Sequence, residues 1–401
     1  MAPATALRVV QVNKRYPPHI GGIETHVGQL AEGLAAWPGV DVQVLAAGMP
    51  WGTVREHYRR VSVTRVVSLG VVASLPLAPT LPWSLLRAAR TADIVHLHEP
   101  FPLAAVGALA LPPRVKLVVT WHSDVVRQRW ALPAYAPIVR RLLERADAVI
   151  LPSQAHLAGS HVLPAHQAKC TVIPFGVDVA AFAPTAARQA KAAAIRAALP
   201  GPVILFVGRL VYYKGVEHLI RALALLPPRV TLVIVGDGPL RRRLAALAAN
   251  LGLAQRVRFT GWLDDETLRA CYLAADLVVL PSVARSEGFG IVQLEAMASG
   301  RPVICTALPT GVPTVGIPGT TGLIVPPGDA AALAAAAGPL LANPSRRQAM
   351  GVAGWRHAVI HYDLRQMIAR HVRIYQQLIS SRQQSASGHE LGRVPNSRGV
   401  R

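Results

Sequence analysis

Cysteine is scarce: only Cys170, Cys271 and Cys305 occur, far apart and without paired spacing. A disulfide framework and a cysteine zinc site are thereby excluded, and a reducing compartment is expected. Long apolar runs are missing as well. The stretches around Val66 to Pro82 and Phe101 to Leu111 are too short or too proline-broken to span a bilayer, and MAPATALRVVQVNKRYPP at the start lacks a charged-then-apolar leader pattern. A cytoplasmic protein is the expectation. Acidic residues number 21 against 42 basic ones, giving +21, yet only five of the 42 are lysines and aromatics make up 5%. No basic stripe interleaved with aromatics stands out, so charge alone carries no nucleic-acid reading. It leaves attraction to an anionic membrane, a phosphate-bearing substrate, or arginine-rich coding bias. Also absent are a Walker lysine loop, a three-glycine dinucleotide fingerprint and a Ser-His-Asp ordering, which removes support for NTPase, dehydrogenase and hydrolase chemistry.

What is present is alternation. LRVVQVN, VDVQVLAAG, ADIVHLHE (92–99), VKLVVTWHS (115–123) and DAVILPS (147–153) are β-branched runs separated by helical segments. Buried strands with helical crossovers predict a parallel sheet covered on both faces. After an alanine-rich connector at 180–200 the pattern restarts with VILFVG, VTLVIVGDG, VRFTG, LVVLPS and RPVICT. With 401 residues and 52% hydrophobic content, the prediction is two doubly wound α/β domains, at 1–179 and 200–354, facing each other across one cleft. One long last helix is expected over Trp355 to Ile379, followed by a polar, disordered tail at 381–401.

The strongest chemical signal is SEGFGIVQLEAMASGRPV at 286–303. A strand feeds a glycine loop and then a helix expected to begin near Gly290 or Ile291, where unpaired N–H groups suit a diphosphate. Glu287 sits in the loop and Glu295 about one turn along the helix, so two acids can address two ends of one ligand. FVGRLVYYKG places Arg209 and Lys214 beyond a strand end, a fixed fork and a point charge able to neutralise a diphosphate without a metal. VGDGP offers a tight turn beside them, and the arginine triplet 241–243 reads as a solvated helix face. In the first half, Gly21 and Gly22 open a helix after the first strand. WHSD and HLH place His122, Asp124, His96 and His98 at the cleft edge, where a metal site of His96, His98 and Glu99 is conceivable although no helical two-His pattern supports it. RQRWALPAYAPIVRRLLER (127–145) mixes arginines with Trp130, Tyr135, Ile138, Leu142 and Leu143; it reads equally as an interfacial helix toward anionic lipid or as an ordinary packing helix.

Taken in order, GRLVYYKG, VGDGP, EGFGIVQLE and GLIVPPGD, with the glycine pair of PPHIGGIETHV and WHSD, resemble glycosyltransferase family 4 over about residues 8 to 380. The resemblance implies the GT-B fold, two Rossmann-like domains with a last helix that crosses back to the first. It also implies retaining, metal-independent transfer of a sugar from a nucleotide-diphosphate donor to an acceptor hydroxyl, with no cofactor. By motif position, Arg209 and Lys214 hold the diphosphate, and the backbone of Phe289, Gly290 and Ile291 adds donors. Glu287 takes the sugar hydroxyls, Glu295 the ribose, His122 lies beside the reacting sugar and Gly22 near the diphosphate. WHSDVVRQ with GRLVYYKG looks most like members using GDP-mannose, with UDP-sugars close behind. The expected setting is surface polysaccharide, lipopolysaccharide or glycolipid synthesis, with a glycan or lipid-linked acceptor and peripheral contact at the inner membrane face. A nucleotide-sugar epimerase and a non-catalytic nucleotide-sugar-binding protein are the alternatives on the same fold.

Overall fold

The computed structural model describes residues 6–48, 51–72, 75–124 and 132–391. Its first half contains β1 (Leu7–Asn13), α1 (Gly22–Ala35), β2 (Val40–Ala47), β3 (Val54–Tyr58), β4 (Val61–Val66) and a small hairpin, β5 (Val71–Val72) with β6 (Leu75–Pro76). It continues through α2 (Leu81–Ala88), β7 (Ile94–Glu99), α3 (Pro102–Leu109), β8 (Lys116–Trp121), α4 (Leu132–Arg145), β9 (Ala148–Leu151), α5 (Gln154–Gly159) and β10 (Cys170–Val172). The eight-stranded sheet runs β10-β9-β8-β7-β1-β2-β4-β3, and only the β3–β4 pair is antiparallel. The β-branched runs became the parallel strands, as their continuous apolarity requires. β3 and β4 escaped notice because their two-residue turn is Arg59-Arg60, with Arg59 at φ 53°, where glycine or asparagine is the usual signal.

The second half opens with α6 (Ala186–Ala197) and continues through β11 (Val203–Val207), α7 (Val216–Ala224), β12 (Thr231–Val235), α8 (Arg241–Asn250), β13 (Val257–Gly261) and α9 (Asp265–Ala274). It closes with β14 (Leu277–Leu280), α10 (Val292–Ala298), β15 (Val303–Thr306), β16 (Gly322–Val325), α11 (Ala330–Ala342), α12 (Pro344–His361) and α13 (Leu364–Leu391). All six strands are parallel, in the order β13-β12-β11-β14-β15-β16. Strand order therefore turns back between β11 and β14, and in the first sheet between β1 and β7. These switch points are where open α/β sheets leave a crevice at the carboxyl ends of their strands.

Three expectations are corrected here. The alanine-rich stretch at 180–200 holds α6, which belongs with the second sheet: Arg188 pairs with Glu266 at 3.0 Å, Lys191 donates to Thr267, and Arg196 meets Asp276 at 2.8 Å. These polar contacts flank a small apolar seam of Ala192 and Ile195 against Ala270 and Ala274 of α9. The long helix expected over Trp355–Ile379 is two helices. Asp363 ends the first run by capping α13, its Oδ1 accepting from the backbone N–H of Arg365 and Gln366. The break is also laced to the earlier crossover, since Val177 N donates to Tyr362 O and Leu364 N to Val177 O. Finally, α13 runs on to Leu391, into the segment expected to be disordered. Residues 392–401 lie outside the described residues.

Met367, Ile368, Val372 and Tyr375 of α13 pack with Val27, Leu30 and Leu34 of α1 and with Val44 and Ile94 of the first sheet. The chain's last helix thus completes the core of its first unit.

Candidate active site

Beyond β11, Gly208 lies at φ 149°, and beyond β12, Gly236 lies at φ 122°. A Cβ on Gly236 would sit 2.2 Å from the Gly208 carbonyl oxygen, so the two strand ends approach more closely than any side chain permits. The short turn Tyr212–Lys214 ends in Gly215 at φ 62° and carries Lys214 back over the strand end. Its Nζ meets Glu287 Oε2 at 2.6 Å, and Ser282 Oγ donates to the same carboxylate oxygen at 3.0 Å. Lys214 and Glu287 are both buried. Burial alone would lower the lysine pKa, but the Glu287 charge outweighs it and Lys214 ends above its ordinary value, a fixed cation. Arg209 is exposed in the same loop.

The Glu287 loop runs into α10, which starts at Val292 with Ile291 as its cap, one residue beyond the expected start; Gly290 makes the turn at φ 77°. Gln293 steadies the loop by donating to the carbonyls of Phe289 and Val312. Glu295 lies one turn on, and Tyr272 OH donates to it at 2.6 Å. Burial raises the Glu295 pKa, which the Tyr272 hydrogen bond partly offsets.

The first sheet contributes the facing wall. A Cβ on Gly288 would lie 2.8 Å from the His122 carbonyl oxygen and 3.2 Å from His156 Nε2, while one on Gly22 would lie 3.8 Å from Ile291 Cδ1. Phe289 stacks edge-on against Phe175 at 5.0 Å, and Phe175 lies 5.5 Å from the His122 ring. Gly22, His122, Glu287, Phe289, Gly290 and Ile291 therefore meet where the two switch points face each other, with Lys214 held by Glu287. His122 is buried, with Nε2 3.0 Å from His98 Nδ1. Burial first, then the neighbouring His98, His26 and Lys14, hold its pKa well below the ordinary value, so the ring is neutral.

Other sequence candidates fall elsewhere. Asp124 is not a cleft group: its Oδ1 accepts from Trp121 Nε1 at 2.8 Å and Ser160 Oγ at 3.0 Å. His96 is fully buried with both ring nitrogens engaged, by Thr120 and Tyr375, and Glu99 accepts from Tyr135 OH and Phe101 N. His96 thus has no ring nitrogen left for a metal, and among the described residues no group of His, Cys, Asp and Glu is placed to hold one. On α4, Tyr135, Val139, Leu142 and Leu143 are core residues, which selects the packing reading of that helix; Arg127, Arg129 and Trp130 lie outside the described residues. Of the arginine triplet, Arg241 pairs with Asp237 at 3.3 Å while 242 and 243 are exposed. Reading the sequence missed Gln11, Ser282, Tyr272 and Tyr375. No spacing rule links residues that meet only through the fold, although Ser282 lies two residues beyond β14, which ends at the switch point.

Two facing α/β units, with a buried cation–carboxylate pair at the switch point of one and a neutral histidine just beyond β8 of the other, define a GT-B glycosyltransferase. Residues 188–356 match the family described as Glycosyl transferases group 1, and residues 20–181 match Glycosyltransferase Family 4. The chain is 34% identical to the D-rhamnosyltransferase WbpZ of Pseudomonas aeruginosa over 86% of its length and 89% of the relative's. It is 32% identical to O-antigen chain mannosyltransferase C of Escherichia coli, covering 94% and 100%. It is 33% identical to a GDP-mannose-dependent alpha-(1-6)-phosphatidylinositol monomannoside mannosyltransferase of Mycolicibacterium smegmatis, covering 90% and 96%. Among solved structures, sucrose-phosphate synthase from Thermosynechococcus elongatus superposes with a TM-score of 0.76 at 27% identity, covering 94% and 100%. The chain belongs to glycosyltransferase family 4 and is an enzyme that transfers a sugar from a nucleotide-sugar donor in polysaccharide or glycolipid synthesis.

Proposed function

We propose that the enzyme transfers mannose from GDP-mannose, with retention of configuration and without a metal, to a hydroxyl of a glycan or lipid-linked acceptor. The observation that carries this is the Lys214–Glu287 pair beside a loop that rests on His122. As the glycosidic bond breaks, charge grows on the diphosphate oxygen; Lys214, Arg209 and the backbone N–H groups of Phe289, Gly290 and Ile291 stabilise it in place. Glu287 takes hydroxyls of the transferred sugar, Glu295 those of the ribose, and Gly22 lets the α1 backbone approach the diphosphate. The acceptor oxygen bonds to the anomeric carbon on the face the leaving group departs from, and its proton passes to the released diphosphate oxygen. Two of the relatives are mannosyltransferases, one of them GDP-mannose-dependent by name, which favours that donor over UDP-sugars. A thermal-shift panel in excess chelator tests it. A donor at 100 times its Kd adds about 2.7 kcal/mol of stability, so GDP-mannose is expected to raise the melting temperature by several degrees and UDP-glucose by less. The reverse ranking replaces the donor assignment.

The same reading places the enzyme in the cytoplasm, peripherally on the inner membrane face. Among the described residues no helix is long and apolar enough to cross a membrane. With the apolar side of α4 in the core, lipid contact falls to the exposed Leu69, Val71, Val72, Leu77 and Trp83, with Arg87 lying 5.9 Å over the Trp83 ring. Sedimentation with phosphatidylglycerol vesicles is expected for the wild type and is expected to drop severalfold for Val72→Glu/Trp83→Glu. Equal recovery of both proteins would remove this surface from the account.

A further inference from the structure

His122 is the end of a buried hydrogen-bonded relay. Gln11 Nε2 donates to Tyr375 OH at 3.1 Å, and Tyr375 OH lies 2.7 Å from His96 Nδ1, whose Nε2 is 2.7 Å from Thr120 Oγ1. In the other direction, Gln11 Oε1 lies 2.6 Å from His98 Nε2, and His98 Nδ1 lies 3.0 Å from His122 Nε2. Gln11, His96, Thr120 and Tyr375 are at most 1% exposed, as is His98, and His122 is 4% exposed. Burial holds the three histidines far below their ordinary pKa, so each ring carries one proton.

The orientation of the Gln11 amide, nitrogen toward Tyr375 and oxygen toward His98, places those protons. The Gln11 carboxamide oxygen only accepts, so His98 carries its hydrogen on Nε2 and its Nδ1 is bare. A bare Nδ1 can only accept, so His122 supplies the hydrogen from Nε2, and His122 Nδ1 keeps its lone pair. That atom has no hydrogen-bond partner among the described residues. The direction of the relay is set by which way the Gln11 amide points. In this structure the amide nitrogen faces Tyr375 and the amide oxygen faces His98; with that orientation the Tyr375 oxygen accepts, its own hydrogen goes to His96 Nδ1, and His96 donates from Nε2 to Thr120 Oγ1.

We propose that Gln11 and Tyr375 are positioning residues that lock His122 in the Nε2–H tautomer, so that Nδ1 is presented as a hydrogen-bond acceptor for a hydroxyl of the donor sugar. The inference rests on the reading that His122 lies beside the reacting sugar. Because Tyr375 belongs to α13, the tautomer is correct only when that helix is docked on the first sheet.

Tyr375→Phe removes one oxygen and leaves the ring. Either orientation of the Gln11 amide then leaves one of its polar ends unpaired, the bias is lost, and both tautomers are populated. Nitrogen-15 NMR of histidine-labelled protein reads this directly, with the His122 signal assigned by its loss in His122→Gln. The expected result is a single bare-Nδ1 signal in the wild type and a mixture in Tyr375→Phe. Transfer from GDP-mannose is expected to fall tenfold or more in Tyr375→Phe, while the affinity for GDP, which lacks the sugar, stays within about twofold. Gln11→Leu, which cuts the relay on the other side of the amide, is expected to behave alike. A wild-type Nδ1–H signal, or unchanged tautomer and transfer in both variants, overturns the proposal. Tautomer mixing with unchanged transfer in both the positioning variants and His122→Gln places the failure in the sugar-side role of His122 instead.

Discussion

Lys214→Ala and Glu287→Ala are each expected to lower transfer by about a hundred- to a thousandfold, the scale of losing one preplaced electrostatic group in a transition state. They are also expected to lose stability. The two side chains are about 11% and 10% exposed and meet at 2.6 Å, and removing one partner of a buried pair strands the other charge, at a cost of about 3–5 kcal/mol. Activity loss in a single variant is therefore ambiguous, because part of it reports unfolding. The double variant Lys214→Met/Glu287→Leu separates the effects. Replacing a buried ion pair by apolar groups of similar volume is often neutral or better, so its melting temperature returns to near wild type. Its transfer stays lost, because neither the diphosphate cation nor the sugar-side carboxylate is restored. A double variant with wild-type stability and appreciable transfer would remove both residues from the site.

Acid is expected to unfold the protein well above the pH at which carboxylates titrate. His26, His96, His98, His122 and His371 form one buried cluster, with ring centroids 4.4 to 6.4 Å from aromatic neighbours. Burial lowers all five, His98 to about 3 and His371 to about 4. In the unfolded chain each titrates near about 6.5. Between those values the unfolded state binds more protons, so stability is complete above about pH 6.5 and falls as pH drops toward the folded values. Each histidine contributes at most about 1.4 kcal/mol per pH unit, and five approach about 7, against a typical total of about 5–15 kcal/mol. Glu99 and Glu295, raised by burial, act in the opposite sense, but two groups do not cancel five. The melting temperature is expected to fall steeply between pH 6.5 and 4.5. His26→Phe, which removes a ring with no hydrogen-bond partner among the described residues, is expected to flatten the slope by about one proton. A melting temperature constant over that range contradicts the neutral, buried state of the cluster.

Much of this site was legible in the sequence, for a physical reason. Parallel strands buried on both faces leave apolar runs, and the loops that close over a diphosphate need glycine where backbones touch, as at Gly208, Gly236 and Gly290. Those two signals located Lys214 and Glu287 beyond their strands and Gly22 at the start of α1; the approach of Gly22 to Ile291 is visible only in the fold. The alanine-rich α6 left no such mark, because its apolar seam is only Ala192 and Ile195 against Ala270 and Ala274, with Arg188 and Arg196 adding charged contacts. The Asp363 cap was present in the sequence but hidden inside a helical pattern continuous on both sides. The partners of His122 were least accessible: Gln11 and Tyr375 are 364 residues apart and adjacent only because α13 returns to the first sheet. Asp124 and His96 were misjudged for the related reason that a polar residue after or within a strand is as readily a buried hydrogen-bond partner as a cleft group.

The central claim is that a nucleotide-linked sugar binds between the Lys214–Glu287 pair and His122. Calorimetric titration of GDP-mannose in excess chelator, against the wild type and the stable Lys214→Met/Glu287→Leu variant, tests it most directly. Saturable one-to-one binding by the wild type, weakened at least about a hundredfold in the double variant, corresponds to a loss of about 2.7 kcal/mol and is the predicted result. Equal affinity in the two proteins, or wild-type binding only when a divalent metal is added, would contradict it.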